Sequence, residues 1–298
     1  MMQDDQDSPM PNGLRGQEDY ENEFLSWSTR DPEQKIGFRG GRFTNVNTFC
    51  VLTIGLSFTV IFYVALFLLQ NTYLYYTFCE RGMVPYFIAL LFFCSLAILI
   101  LKKYKLNLQR KALDIAIIPD SREYVLSPRS VEEVTHRITT ACDDPKKFLL
   151  LNRITIALAN LKNIGRVSDV DEILHIQAEQ DESTMETSYL LVSSLVWAIP
   201  VMGFIGTVLG LSSAIGGFGS VLSSTEEVSE LKNALKEVTG GLSVAFETTL
   251  QGLVCALLIQ LLLTFMKKSE EEFLDNCSEY CVRNVVGRLR MNPVEDEK

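Results

Sequence analysis

The sequence predicts an all-α membrane protein with four transmembrane helices and long helical extensions into the cytoplasm. Three observations support this fold class. Of the 298 residues, 47% are apolar and 21% are charged, a combination typical of a membrane protein with sizeable aqueous parts. Four stretches are long and apolar enough to cross a hydrocarbon core, which requires about 20 residues. The polar stretch before the third of them has apolar residues at helical spacing.

The four candidate spans divide the chain into five segments. These are a disordered acidic cytoplasmic tail at 1–44, a transmembrane hairpin of two spans at 45–101, a cytoplasmic helical region at 102–188, a second pair of spans joined by a short outer helix at 189–266, and a cytoplasmic carboxy-terminal helix at 267–298. The first 40 residues carry nine acids and four bases, a composition typical of disorder.

Local signals set the expected helix ends around the third and fourth spans. The helix before the third span contains no breaker, so it is expected to enter the membrane as one long helix. Thr225 or a neighbouring residue is expected to cap the short outer helix, and Gly240 and Gly241 are expected to end it.

Basic residues indicate the orientation of the spans. Of the 27 Lys and Arg residues, 24 lie before the first span, between the second and third spans, or after the fourth. Basic residues concentrate on the cytoplasmic side of membrane proteins. Both termini and the segment 102–188 are therefore expected in the cytoplasm.

Charge and motif content exclude several classes of function. The net charge of −10 provides no broad cationic surface for nucleic acid. The seven Cys form no CxxC pair, and the two His have no Cys at ligand spacing, so no metal site is predicted. No nucleotide-binding or hydrolase motif is present. We expect no enzymatic activity and no cofactor.

Small residues follow one face of the third span and one face of the fourth. Steps of three and four residues place them on a single strip in each helix, and the strips are Pro200, Gly203, Thr207, Gly210 and Ala214, and Ala245, Thr249, Gly252 and Ala256. Gly206 adds a GxxxG spacing with Gly210. Such faces allow helix backbones to approach closely in a membrane. Plain helix packing and a functional role are both compatible with this pattern.

The fourth span also has a polar face, formed by Ser243, Glu247 and Gln251. A carboxylate at the centre of a membrane helix costs about 2.5–3.5 kcal/mol, so Glu247 requires a partner, water or an ion. One interpretation is a neutral carboxyl hydrogen-bonded to a neighbouring helix. The other is a place on an ion path, because Thr207 and Glu247 each lie seven residues from the outer end of their span, about 10 Å below the outer boundary.

Two passages on neighbouring spans resemble the MotA/TolQ/ExbB proton-channel family. In WAIPVMGFIGTVLGL, Pro200 precedes Gly203 by three residues as in the family, and residues 206–208 match its GTV motif. In GGLSVAFETTLQGLVCAL, residues 249–253 match the TAxGL motif of its last membrane helix. The resemblance covers roughly residues 150–266.

The resemblance implies that residues 189–266 form an ion-channel core in the cell inner membrane. It also implies a five-membered ring around a dimeric, single-span partner of the ExbD/TolR/MotB kind, which usually supplies the titrating Asp. Thr207 and Thr249 would line or border the ion path, and Glu247 is the third candidate from the depth argument. The candidates for helix packing and pore shaping are Pro200, Gly203, Gly206, Gly210 and Gly252.

Three classes of function remain open from the sequence. The first is a stator-type subunit that couples proton or sodium motive force to mechanical work on the cell envelope. The second is a small ion channel or solute carrier without a force-coupled partner, and the third is a structural membrane scaffold. A neighbouring gene for a single-span chain with an Asp in its span would favour the first. Hydroxyl and carboxylate oxygens suit both H⁺ and Na⁺, so the sequence does not select the ion.

Overall fold

The computed structural model describes residues 24–115, 117–119, 124–126, 130–164, 167–224 and 228–289. Within these ranges the chain is helical and contains no strand, apart from isolated β-bridges between Leu25 and Cys142 and between Leu126 and Leu289. The predicted all-α class is therefore confirmed. The tail before residue 24 and the cap at Thr225 lie outside the described residues.

The α-helices of the described residues are numbered in chain order. They are α1 (Trp27–Arg30), α2 (Pro32–Lys35), α3 (Thr48–Leu68), α4 (Tyr73–Cys79), α5 (Val84–Asp114), α6 (Val131–Ala141), α7 (Leu149–Ile164), α8 (Val167–Ser188), α9 (Leu190–Ser224) and α10 (Val228–Tyr280). After α10 the chain continues as a π-helical turn at Cys281–Val285 and a 3-10 turn at Val286–Arg288. The regular α-helix thus ends well inside the predicted carboxy-terminal helix at 267–298.

Four helical stretches in the described part of the chain are long and apolar enough to cross a membrane. They are Thr48–Leu68, Val84–Asp114, Asp169–Gly219 and Lys232–Arg288, and each overlaps one of the four predicted spans. The third stretch consists of α8 and α9, which meet at Tyr189. The Tyr189 N–H donates to the Glu186 carbonyl at 3.1 Å, so the predicted long helix is interrupted by a single residue.

The short outer helix expected before the fourth span is not a separate element. Helix α10 begins at Val228 and runs without a break through Gly240 and Gly241. A Cβ placed on Gly241 would lie 2.6 Å from the Cβ of Ala214 in α9. Gly241 is therefore a packing residue inside a continuous helix, and the prediction that it ends a helix is wrong.

The chain folds as two compact units. The first comprises Met1–Asp31, Leu108–Gln177 and Cys277–Lys298, and the second comprises Pro32–Asn107 and Ala178–Asn276. The predicted tail at 1–44 therefore contributes to both units. From residue 24 onwards it differs from the disordered segment that its composition predicts, because it makes buried contacts in each unit.

In the first unit, residues 24–31 are held by one aromatic side chain and one carboxylate. Trp27 is fully buried, and its ring meets the ring of Phe148 edge-on with centroids 5.4 Å apart. The Asp143 carboxylate accepts hydrogen bonds from the backbone N–H groups of Trp27 at 2.8 Å and Ser28 at 2.9 Å. These contacts order the end of the tail although its composition is acidic.

The second unit is built on close packing of the apolar helices. A Cβ added to Gly55 in α3 would lie 2.5 Å from the sulfur of Cys94 in α5, so these two helices touch at this point. Ile88 of α5 and Ile199 of α9 are fully buried, and they pack in one cluster with Ala256 of α10. Helices α5, α9 and α10 therefore share one apolar core.

The first prediction concerns the carboxylate that holds Trp27. Burial alone would raise the pKa of Asp143, but the hydrogen bonds from Ser28 and Trp27 outweigh it and hold the pKa below its ordinary value. The stabilisation is therefore fully present above the ordinary aspartate pKa and is lost as the pH falls through the lowered pKa of the folded state.

We expect Asp143→Ala to expose Trp27 and to shift its fluorescence to longer wavelength near neutral pH. The unsubstituted chain should show the same shift only on acidification. Both measurements use a Trp197→Phe background, because Trp27 is then the only tryptophan. Asp144→Ala is the control, since this neighbouring carboxylate accepts from Lys146 N–H instead. An unchanged spectrum in Asp143→Ala would contradict the assignment.

Candidate ion-path site

The small-residue strips of α9 and α10 pack against each other within one chain. A Cβ placed on Gly252 would lie 3.0 Å from the backbone oxygen of Ile199 and 3.2 Å from the Cα of Gly203. Further along, a Cβ on Gly210 would lie 3.3 Å from the backbone oxygen of Gly241. We call Gly203, Gly210, Gly241 and Gly252 the glycine seam. A Cβ added at any of these four positions would lie 2.6–3.3 Å from its nearest atom in the facing helix, closer than side-chain carbons normally pack.

The glycine seam brings Thr207 and Thr249 into contact. Their hydroxyl groups share a hydrogen bond, and each hydroxyl also reaches across to a backbone carbonyl of the other helix. Thr207 Oγ1 donates to the Ala245 oxygen at 3.1 Å, and Thr249 Oγ1 donates to the Gly203 oxygen at 3.1 Å. The two contacts are reciprocal, because each acceptor lies four residues before the partner threonine. We call Thr207 and Thr249 the hydroxyl pair.

The hydroxyl pair has fewer hydrogens than contacts. Two hydroxyl hydrogens serve four contacts, three to carbonyls and one between the hydroxyls. Each hydroxyl oxygen has two lone pairs and the partner hydroxyl can use only one of them, so both oxygens keep acceptor capacity. Four oxygens, two from hydroxyls and two from carbonyls, converge at this point. Both threonines are half-buried, and oxygen is the ligand type that hard cations prefer.

The remaining packing candidates lie beside the glycine seam. Pro200 is inside α9, three residues before Gly203, and the helix continues through it. A Cβ on Gly206 would lie 2.6 Å from the Thr248 hydroxyl oxygen and 3.0 Å from a methyl carbon of Val84. Gly206 therefore faces α10 and α5 of its own chain.

Glu247, the third ion-path candidate, forms an ion pair with Arg81. The Arg81 Nε lies 2.8 Å from Glu247 Oε2, and the Arg81 Nη2 donates to Glu247 Oε1 at 3.1 Å. Arg81 precedes α5 in the short connection between α4 and α5. The two side chains are 26% and 18% exposed, so the pair is only partly shielded from solvent. The structure gives Glu247 a cationic partner rather than the neutral hydrogen bond that the sequence also allowed.

Of the other residues on the polar face of α10, Gln251 also contacts the first hairpin, and Ser243 contacts Glu247. Gln251 is buried and donates to the backbone oxygen of Thr77 in α4 at 2.7 Å. Ser243 Oγ donates to Glu247 Oε1 at 3.4 Å. The structure thus brings the hydroxyl pair together, whereas it places Glu247 on the side of α10 that packs on the hairpin.

A buried charge cluster is present that the sequence analysis does not predict. Glu270 of α10 accepts hydrogen bonds from Lys102 Nζ at 3.1 Å, from Tyr189 Oη at 2.6 Å and from the Thr44 hydroxyl. Lys102 Nζ also lies 4.0 Å from the centroid of the Tyr189 ring. Lys102 and Glu270 each lie just beyond a predicted span. Charged residues are common at such positions, so the sequence does not predict that these two form a buried pair.

The fold and the site define a polytopic helical membrane protein in which two adjacent helices hold a pair of hydroxyls in contact. Residues 151–279 match the MotA/TolQ/ExbB proton channel family. This match confirms the resemblance seen in the sequence, and it includes the hydroxyl pair and the glycine seam. Comparison with curated proteins and comparison with solved structures each gave no significant match.

The glycine seam generates a packing prediction. Gly252→Leu should lower the free energy of unfolding by about 1–3 kcal/mol or more, because the side chain would overlap backbone atoms that cannot move aside cheaply. Gly216→Leu is the matched control on α9, since a Cβ there meets nothing within 4 Å. Unfolding in detergent, followed by circular dichroism, measures the difference. Equal stability of the two variants would contradict the close backbone packing at Gly252.

The Arg81–Glu247 pair generates a charge-reversal prediction. Arg81→Glu and Glu247→Arg should each destabilise the protein by about 1–3 kcal/mol, because each leaves two like charges together at a partly shielded membrane position. The double variant Arg81→Glu/Glu247→Arg should recover most of this loss. A double-mutant cycle on unfolding free energies measures the coupling. Simple addition of the two single effects would show that the pair does not form.

Proposed function

We propose that the chain is a stator-type ion-channel subunit of an inner-membrane motor complex that couples proton or sodium motive force to mechanical work on the cell envelope. The observation that carries this proposal is the contact of Thr207 with Thr249 across the glycine seam. It joins the two motifs that resemble the family. The family is a channel family, which favours transport of H⁺ or Na⁺ over enzymatic chemistry.

The oxygens at the hydroxyl pair support its assignment to the ion path. A hydrated proton or a sodium ion needs several oxygen ligands, and the hydroxyl pair offers two hydroxyl oxygens with two adjacent carbonyls. Since each hydroxyl oxygen has two lone pairs and the partner hydroxyl uses at most one of them, acceptor capacity remains for a passing ion or its water. Glu247 is proposed as a third member, at the same depth from the outer boundary and linked to the outer connection by Arg81.

Exposed apolar surface on α9 and α10 supports the proposal that other protein chains pack against these helices. After the glycine seam is formed, large side chains on both helices remain exposed, and they include Phe204, Val208, Leu211, Leu250, Leu253 and Leu257. We propose that such surfaces contact neighbouring copies in a pentameric ring and a single-span partner of the ExbD/TolR/MotB kind. The distribution of basic residues supports placement of both termini in the cytoplasm.

Removal of either hydroxyl tests the ion path. Thr207→Val and Thr249→Val each keep the shape of the side chain but remove the oxygen, so we expect each to reduce ion flux at least tenfold while the complex still assembles. Flux is measured in proteoliposomes that contain the chain and its single-span partner. Thr264→Val is the matched control, because the Thr264 hydroxyl of α10 donates to the Gln260 carbonyl of its own helix.

Two further arms of the same assay separate the alternatives. Glu247→Gln keeps a hydrogen-bonding group but removes the charge, so loss of flux would give the charge a role, and full flux would limit Glu247 to packing the hairpin. Unchanged flux in both threonine variants would refute the proposed site. Full flux without any partner would favour a channel or carrier that works alone.

A further inference from the structure

The stretch that joins the end of the predicted tail to the first membrane helix is held in a fixed shape by a buried carboxylate. Glu33 is fully buried and accepts hydrogen bonds from the backbone N–H groups of Gly41 at 3.0 Å and Asn47 at 2.6 Å. Lys105 of α5 forms an ion pair with Glu33 and donates to the Asn45 carbonyl at 2.6 Å. The Phe38 N–H donates to the backbone oxygen of Glu33 at 3.0 Å, so the loop between α2 and α3 is held at its start, middle and end.

This fixed loop presents two apolar side chains beside α3. Gly37 adopts a positive φ of 88°, a turn that favours glycine, and it separates Ile36 from Phe38. Both side chains line an open groove of about 420 Å³ whose other wall is α3. Cavities of this volume are typical of sites for small molecules. Ile36 is 53% exposed, so the protein holds a large apolar side chain outward at this position.

The wall formed by α3 is chemically apolar. The groove extends along it from Thr53 to Ile61, which is about 12 Å at the rise of an α-helix. The hydroxyls of Thr53 and Ser57 donate to backbone carbonyls of α3 itself, at 2.9 and 2.8 Å. Their hydrogens are used within the helix, so this wall suits a hydrocarbon chain better than a polar ligand.

The loop side of the groove carries positive charge. Lys35 directly precedes Ile36, and Arg39 directly follows Phe38, and both basic side chains are exposed. The sequence contains no acidic residue between Glu33 and Glu80. A ligand that fits the groove therefore has an apolar chain for the α3 wall and an anionic group for the two bases.

We propose that the groove between the 36–38 loop and α3 binds an anionic phospholipid, with one acyl chain along α3 and the phosphate at Lys35 and Arg39. Helix α3 is one of the candidate membrane spans, so lipid reaches the groove directly. Each basic residue near a membrane surface strengthens the binding of anionic lipid by a factor of about five. The site is independent of the proposed ion path.

Quenching of a tryptophan in the groove tests the proposal. The full chain carries Phe58→Trp, a groove position, and Trp197→Phe, so that fully buried Trp27 is the remaining native tryptophan. It is reconstituted in phosphatidylcholine with small fractions of brominated phosphatidylglycerol or brominated phosphatidylcholine. We expect the anionic probe to quench with at least about fivefold higher apparent affinity.

Two variants and one control test which residues produce the preference for the anionic lipid. Lys35→Gln with Arg39→Gln should remove the preference for the anionic probe, and Ser57→Phe should reduce quenching by that probe because it fills the groove. Lys268→Gln, which removes an exposed base on α10, should leave the preference unchanged. Equal affinity for the two probes, or a preference that survives loss of both Lys35 and Arg39, would overturn the proposal.

Other occupants of the groove give different results. If a second copy of the chain covers the groove, neither probe strongly quenches the tryptophan introduced there. Dilution of the protein in the bilayer then restores quenching. This result would overturn lipid binding. If the acidic residues 1–22 of the same chain cover it, selective quenching arises only after their deletion. That result would assign the groove to the tail and would likewise overturn lipid binding.

Discussion

The contact of α9 with α10 through the glycine seam is the constraint on which the candidate site depends. Lipid chains are as apolar as leucine side chains, so membrane helices associate through close packing and hydrogen bonds rather than through hydrophobic burial. At Gly203 and Gly252 the two backbones approach closely enough that a Cβ would lie 3.0–3.2 Å from atoms of the facing helix. Only at this separation can each threonine hydroxyl reach a carbonyl of the opposite helix.

Charge compensation within the chain is a second constraint, and one stretch of sequence supplies it. Three glutamates in the second unit have basic partners from this stretch, and the partners are Arg81 for Glu247, Lys102 for Glu270 and Lys105 for Glu33. Arg81 stands just before α5, and the two lysines lie within it. Removal of one member of a buried pair leaves an uncompensated charge and is strongly destabilising. Helix α5 and the residues just before it therefore hold both α10 and the end of the amino-terminal tail in place.

The sequence predicts the spans well because span length and small-residue spacing are local properties. The strips that contain Thr207 and Thr249 follow from helical periodicity alone, and the structure places them face to face. The partner of Glu247 depends on contact between segments 166 residues apart, although Arg81, the single base between the first two spans, is a usable signal. The prediction fails at Gly241 because a glycine that ends a helix and a glycine that allows close packing look the same in sequence. The Glu270 cluster escapes prediction because its members look like ordinary flanking charges.

The tightness of the glycine seam limits where an ion can pass. Backbone atoms of α9 and α10 are in contact on the line between the two helices, so no hydrated route runs between them within one chain. The hydroxyl pair is nevertheless half-buried rather than sealed, and its oxygens lie at the edge of the seam. If ions pass the hydroxyl pair, as proposed, the route runs along the outside of the helix pair and needs a second wall. In the proposed complex a neighbouring copy or a single-span partner would supply that wall, which gives a physical reason for the proposed channel to be an assembly.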